Sequence, residues 1–231
     1  MKSPICLILA GGFGTRLRSL VADLPKPLAP VAGKPFLYWL LDNLQQQGVK
    51  DVIFSLHYQA ELIQGFLQNH AFGMNFRTVV EPEPLGTGGA IAYAIQQMDV
   101  QTSFMVLNGD TWLSKSIVEL QAYRPPTIGL THVADTSRYG RVDWVDQLVL
   151  NFQEKQQNSG SGWINAGAYH LSPEDFADWK GQTCSLERDM LPRWVQQKRL
   201  QACPLNTDFI DIGVPEDYQN FCQYQKSKIQ K

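Results

Sequence analysis

The sequence predicts an α/β fold, with a Rossmann-like, mostly parallel sheet, helices on both faces and a smaller antiparallel lobe. Three observations carry this. Short apolar runs of strand length alternate with amphipathic helical stretches at the pitch of βαβ units. Two of these runs end on glycine-containing polar turns, Gly11-Gly12-Phe13-Gly14 and Asn108-Gly109-Asp110. Past Pro125-Pro126 the texture changes to shorter strands separated by turns, with little helical spacing between them.

The elements follow in order. Residues 5–9 form a short, wholly apolar run, the pattern of a strand buried on both faces. Gly33-Lys34-Pro35 opens a helix with Pro35 near its first position. Phe36, Leu37, Leu40, Leu41 and Leu44 then recur at helical spacing, and Gly48 closes it. A strand over 51–56 precedes a helix over 59–68 that turns Leu62, Ile63, Phe66 and Leu67 inward. A third strand covers 74–80. Leu85-Gly86-Thr87-Gly88-Gly89 leads into a helix over 90–98, and a further strand covers 103–107. Strands are expected over 127–133, 140–145 and 148–152, a helix over 186–197, and an edge strand over 200–204. A helix over 215–224 closes the chain, and the lysine-rich tail from Lys226 is expected to fray. Residues 156–162, polar and rich in Gly and Ser, read as a mobile loop.

In open parallel sheets ligands sit outside the carboxyl ends of the strands. The glycine loop, Glu81 and Asn108-Gly109-Asp110 all follow strands, so they are expected to converge on one edge. The first loop is the most informative. Its glycines let backbone N–H groups approach a ligand closely, as phosphate-cradling turns do. Arg16 follows at once, and Lys26 stands between two prolines that stiffen its segment. Neither common phosphate loop matches. A dinucleotide fingerprint beginning at Gly12 and Gly14 has Leu17 in place of its third glycine, and the second strand leads to His57 rather than an acidic residue. A Walker loop around Gly33-Lys34 meets Pro35 and lacks its first glycine.

The run Leu9-Ala10-Gly11-Gly12-Phe13-Gly14-Thr15-Arg16-Leu17, followed by Pro25-Lys26-Pro27-Leu28-Ala29-Pro30-Val31-Ala32-Gly33-Lys34-Pro35, resembles the signature of the sugar-1-phosphate nucleotidyltransferases. The resemblance extends from Ile5 to Tyr218. It implies the nucleotide-diphospho-sugar transferase fold in one domain, 1–231, with 1–112 mainly binding nucleotide and 113–231 mainly binding sugar phosphate. It implies an enzyme in which a sugar 1-phosphate oxygen attacks the α-phosphorus of a nucleoside triphosphate and expels pyrophosphate. Leu9, Ala10, Gly11, Gly12, Gly14, Thr15, Glu81, Gly86, Thr87, Asn108 and Gly109 would bind the nucleotide. Arg16 and Lys26 would be catalytic, and Asp110 and Asp211 would hold Mg²⁺. Tyr139, Gly140, Glu154, Lys155 and Asn165 would form the sugar-phosphate pocket.

Read singly, several of these residues have plainer roles: Asp110 as a helix cap, Asp211 as a turn former, Glu154-Lys155 as a solvated pair. The chemistry favours the fuller set. Two anions must meet and a third must leave, so catalysis reduces to positioning and charge neutralisation. A guanidinium fork suits the β,γ-phosphates. Hard carboxylate oxygens suit Mg²⁺. No general base is needed, because the nucleophile is already ionised.

Within the family, Arg138-Tyr139-Gly140 and the stretch from Phe209 to Tyr218 resemble the guanylyltransferases that act on D-glycero-α-D-manno-heptose 1-phosphate. That branch makes GDP-heptose for bacterial surface glycans. Glu81 stands where pyrimidine-using relatives often carry glutamine. A carboxylate accepts only and can match the adjacent N1–H and N2 amino group of guanine, although holding a ribose or facing solvent are the alternatives. Mannose-1-phosphate guanylyltransferases and N-acetylmuramate-1-phosphate uridylyltransferases are the rival branches. Ala166, where relatives often have glycine, is expected to narrow the sugar pocket. A catalytically silent, nucleotide-sugar-sensing paralogue is disfavoured because Arg16, Lys26, Asp110 and Asp211 are all present.

Composition is consistent with this. A net charge of −2 gives no electrostatic reason to expect nucleic acid or membrane partners. Four scattered cysteines and four histidines show no disulfide framework or zinc spacing, which points to a cytoplasmic protein with reduced thiols. The sequence leaves the oligomeric state open, a homo-oligomer included.

Overall fold

The computed structural model describes residues 4–14, 17, 21, 24–153 and 160–229. Its strands are β1 (Ile5–Leu9), β2 (Pro30–Val31), β3 (Lys34–Pro35), β4 (Asp51–Leu56), β5 (Asn75–Val80), β6 (Phe104–Asn108), β7 (Thr111–Leu113), β8 (Thr127–Val133), β9 (Arg141–Val145), β10 (Leu148–Gln153), β11 (Gly162–Leu171), β12 (Gln201–Pro204) and β13 (Phe209–Asp211). The helices are α1 (Phe36–Gln46), α2 (Ala60–Gln68), α3 (Gly86–Gln97), α4 (Leu191–Gln196) and α5 (Pro215–Ile229). A single π-helical turn, Leu186–Met190, precedes α4.

Nine strands form one mixed sheet in the order β5-β4-β1-β6-β11-β8-β12-β10-β9. The first four are mutually parallel. Beyond β6 the pairing turns antiparallel through β11, with β12 parallel to β8. The antiparallel strands thus continue the parallel ones without a break.

Alternation along the central strands builds two cores. Cys6, Ile8, Val52, Phe54, Met105 and Leu107 face α1, α2 and α5. Leu7, Ile53, Phe104 and Val106 face α3, α4 and the π turn. Five side chains of α1 are buried (Phe36, Leu37, Leu40, Leu41 and Leu44). Each such burial is worth about 1.5–3 kcal/mol, so the apolar face, not intrinsic helix propensity, holds α1 in place.

Four expectations are corrected. Leu62 of α2 is exposed at 38% and does not face the core. The glycine segment 86–89 is the first turn of α3 and not a loop before it. Residues 201–204 form an interior strand between β8 and β10; Pro204 is its last residue, so the missing N–H falls at the end of the ladder. The closing helix runs to Ile229. Lys226 and Lys228 lie in its last turn, where cations offset the helix dipole, and Lys228 Nζ stands 4.6 Å over the Tyr224 ring. No helix among the described residues is long and apolar enough to cross a membrane, and all four cysteines are free thiols.

Candidate active site

The parallel half delivers its site from strand ends. Ala10 N–H donates to Ser55 O (2.9 Å) and Gly109 N–H to Leu9 O (2.8 Å), tying the glycine loop to the ends of β4 and β6. A Cβ on Gly11 would lie 3.0 Å from His57 N and 3.1 Å from Glu81 Oε1, a tight fit that a larger side chain could take only if its neighbours gave way. A Cβ on Gly12 would meet nothing among the described residues within 4 Å. The glycine at position 12 therefore leaves space and relieves no crowding among them.

These strand ends enclose a cavity of about 310 Å³. Leu9, Ala10, Gly11, Gly12, Gly14, Lys26, Glu81, Gly86, Thr87, Asn108, Gly109 and Asp110 line it, which gathers the described part of the expected nucleotide set. Thr15 and Arg16 lie outside the described residues. Phe13, His57 and Pro84 also line the cavity and were not anticipated. For His57 the signal was available, since it follows β4 at the same sheet edge. Its Nδ1 lies 3.2 Å from Glu81 O, and its ring meets Phe13 edge-on.

Glu81 does not face solvent: it is 6% exposed. Its Oε1 accepts from Ser55 Oγ (3.1 Å) and its Oε2 from Leu85 N–H (3.1 Å). Burial pushes its carboxyl above the ordinary value of 4.5, against the hydrogen bonds from Leu85 and Ser55, which pull it down. An ionised carboxylate offers about four lone-pair sites, so each oxygen keeps one for a ligand.

The glycines of α3 serve the chain itself. Gly88 N–H and Gly89 N–H donate to Cys184 O (2.9 and 3.0 Å), which caps the helix start. Gly86 has φ +74°, and a Cβ there would come within 2.6 Å of Cys184 O. Two helix-start donors expected for a ligand are thus taken by a segment about a hundred residues further on. Thr87 is also engaged, donating to Glu187 Oε2 (2.6 Å) and accepting from Leu186 N–H (2.8 Å).

A second cavity, of about 210 Å³, adjoins the first; Asn108 and Asp110 belong to the walls of both. Tyr139, Gly140 and Asn165 of the sugar-phosphate set line it together with Asp211, joined by Thr111, Phe152, Gly167, Glu187 and Phe209. Glu154 and Lys155 lie outside the described residues, as do 156–159 of the loop expected to be mobile. The wall is shaped by an irregularity in β11, whose register with β8 shifts between Asn165 and Tyr169. Gly167 sits there at φ +66°, with room for a Cβ refused by Asn108 Nδ2 at 2.8 Å. Asn165 donates to the Tyr169 hydroxyl (2.7 Å) and accepts from Gly167 N–H (2.9 Å), which leaves one N–H and one lone pair. Burial, helped by Asp217, pushes the Tyr139 hydroxyl up to about 12.

Lys26 and Asp110 meet at the junction. Lys26 Nζ donates to Asp110 Oδ2 at 2.7 Å, and the side chains are 12% and 30% exposed. Asp110 O accepts from Ile212 N–H (2.9 Å), and Asp211 lies opposite Thr111 in the β13–β7 ladder. Both proposed metal ligands therefore reach the second cavity from one small sheet. Asp211 Oδ1 accepts from Gly213 N–H (2.7 Å).

The donor set suits a hard divalent cation held by one or two carboxylates and completed by phosphate oxygens. Asn108 Oδ1, buried and without a hydrogen-bond partner among the described residues, adds oxygen character at the same junction. No group of three or more His, Cys, Asp or Glu side chains among the described residues forms an all-protein metal cage.

Comparison with known proteins agrees with this architecture. A nucleotidyl transferase family model matches residues 5–227, and the chain belongs to that family of enzymes. The D-glycero-alpha-D-manno-heptose 1-phosphate guanylyltransferase of Campylobacter jejuni is 38% identical over 93% of this chain and 97% of its own. The mannose-1-phosphate guanyltransferase of Schizosaccharomyces pombe is 34% identical over 96% of this chain and 64% of its own. HddC from Yersinia pseudotuberculosis, in two crystal structures of which one is complexed with GMP-PN, superposes with a TM-score of 0.85 at 37% identity, covering 96% of this chain and 99% of that one. The fold is the nucleotide-diphospho-sugar transferase fold.

Proposed function

We propose that the protein transfers GMP from GTP to D-glycero-α-D-manno-heptose 1-phosphate, giving GDP-heptose and pyrophosphate. The observation that carries this is the pair of adjoining cavities with Lys26 and Asp110 at their junction. A triphosphate in the larger cavity and a sugar phosphate in the smaller bring the α-phosphorus and its nucleophile together there. Similarity along nearly the full length of a heptose 1-phosphate guanylyltransferase and of HddC supports guanine and heptose.

The backbone N–H groups of Gly11, Gly12 and Gly14 hold the triphosphate, and Arg16 neutralises its β,γ-portion. Lys26 spans the two phosphates and stabilises the charge that builds up in the transition state. Glu81 reads guanine through the lone pair left on each oxygen. Asp110 and Asp211 would hold Mg²⁺, which when bound supplies charge neutralisation at the reacting phosphates. Tyr139, Gly140, Glu154 and Asn165 hold the sugar, and Lys155 meets its phosphate. Mannose 1-phosphate is the competing acceptor, because the mannose-1-phosphate enzymes are also similar.

Pyrophosphate release measured with four nucleoside triphosphates against heptose, mannose and N-acetylmuramate 1-phosphates tests the reading. GTP with heptose 1-phosphate is expected to give the highest kcat/KM. Turnover with UTP but not GTP would overturn the base assignment.

A further inference from the structure

Glu187 belongs to none of the sets named from the sequence, yet its carboxylate stands between the two cavities. It lies on the π-helical turn, a geometry that often accompanies functional positions. Oε2 accepts from Thr87 Oγ1 (2.6 Å), a wall residue of the nucleotide cavity, and from Ser185 Oγ (3.2 Å). Oε1 accepts from the hydroxyl of the fully buried Tyr169 at 3.5 Å, and that hydroxyl in turn accepts from Asn165 Nδ2. All of these partners are donors, the surroundings an acceptor-only carboxylate requires. With about four lone-pair sites on a carboxylate and three contacts made among the described residues, one acceptor position remains there on Oε1. Glu187 lines the smaller cavity.

We propose that Glu187 is a specificity-determining residue that accepts a hydrogen bond from a hydroxyl of the sugar, and so selects neutral polyol 1-phosphates over acidic ones. This rests on the reading of the smaller cavity as the sugar-phosphate site. The chemistry is one-sided. A carboxylate here stabilises a hydroxyl donor and repels a second carboxylate on the acceptor. It also disfavours seating the phosphate at this end of the cavity, which leaves the phosphate to the end where the Lys26 ammonium stands. The link through Thr87 fixes Glu187 against the first turn of α3, so the sugar contact is set by the same helix that walls the nucleotide cavity.

The test is steady-state kinetics on the full chain, wild type against Glu187→Gln and Glu187→Asp, with GTP and two acceptors. The acceptors are a neutral heptose or hexose 1-phosphate and a uronic acid 1-phosphate. A hydrogen bond to a charged group is at stake, so Glu187→Gln is expected to raise KM for the neutral acceptor roughly 10- to 100-fold. KM for GTP and the unfolding midpoint should stay near wild type, and the preference for neutral over acidic acceptor should shrink about 10-fold. Glu187→Asp, which keeps the charge, should retain most of that preference.

An unchanged acceptor KM in Glu187→Gln overturns the proposal. So does an equal rise in both KM values with a lowered unfolding midpoint, the sign of a merely structural role. Wild-type protein that turns over no sugar 1-phosphate defeats the functional reading itself. Wild-type turnover with an indifferent Glu187→Gln defeats only the role of Glu187.

Discussion

The two halves of the nine-stranded sheet build their parts of the site in different ways. In the parallel half, β1, β4, β5 and β6 each run toward the same edge, and the residue after each strand falls into the larger cavity: Ala10, His57, Glu81, Gly109. Direction alone brings them together. In the antiparallel half, neighbouring strands end at opposite edges, so strand ends cannot converge. There the wall comes from a register shift in β11, a glycine at positive φ, the small β7–β13 ladder and a π-helical turn. The first half specifies its site by topology and the second by local irregularity. Changes in the first should therefore strike triphosphate handling with the fold intact, and changes to the strained backbone of the second, at Gly167 above all, should also cost stability.

Asp110→Asn is the largest test of that contrast. Asp110 ends the parallel half and touches both cavities, and its loss leaves Lys26 without its carboxylate partner. Turnover supported by divalent ions should fall by about 10³-fold, the upper range for one preorganised electrostatic group, while far-UV circular dichroism is unchanged. Retained activity would place the metal elsewhere.

The next effect concerns Glu81 and pH. Burial raises its carboxyl above 4.5, so it takes up a proton at a higher pH than an exposed glutamate. As pH falls through that raised value the acceptor for guanine is lost, and KM for GTP should climb. Glu81→Gln should remove this acid limb and lower kcat/KM for GTP relative to UTP roughly 10- to 100-fold. The effect on stability has the opposite sense. The folded state holds the proton more tightly than the unfolded chain, so this group's contribution to stability declines as pH rises from about 4.5 through the raised value. An acid limb that persists in Glu81→Gln belongs to another group.

A pair of alanine substitutions gives the smallest and sharpest comparison. At Gly12 a Cβ meets no atom of the described residues within 4 Å, so Gly12→Ala should leave the unfolding free energy unchanged and raise KM for GTP several-fold. At Gly167 the backbone lies at φ +66° and the Cβ would press on Asn108. Gly167→Ala should cost about 1–3 kcal/mol in chemical denaturation. Equal destabilisation by the two would erase the distinction between the halves.

The same contrast explains what the sequence made legible. The parallel strands, the glycine loop, Lys26 and Asp110 were readable because apolar runs followed by glycine and charge are local patterns. The role of Gly86 and Gly88 was not, because the groups a Cβ would meet there, Cys184 O and Met190 Sδ, come from about a hundred residues further on, and nothing local announces that approach. Glu187 was hidden in a stretch read as plain helix, since a π turn carries no periodic signature. Residues 200–204 were read as an edge strand, yet Pro204 stands last, where its missing N–H falls at the end of the ladder, and the strand sits inside the sheet. The lysines after Tyr224 suggested fraying, but Lys226 and Lys228 lie where a helix end favours positive charge.

The central claim is that Lys26, at the junction of the two cavities, stabilises the transition state rather than the bound nucleotide. The direct measurement is GTP affinity and turnover side by side in Lys26→Ala. The expected result is GTP binding within several-fold of wild type and kcat reduced by roughly 10²–10³. Near-normal turnover, or a loss confined to GTP binding, would contradict it.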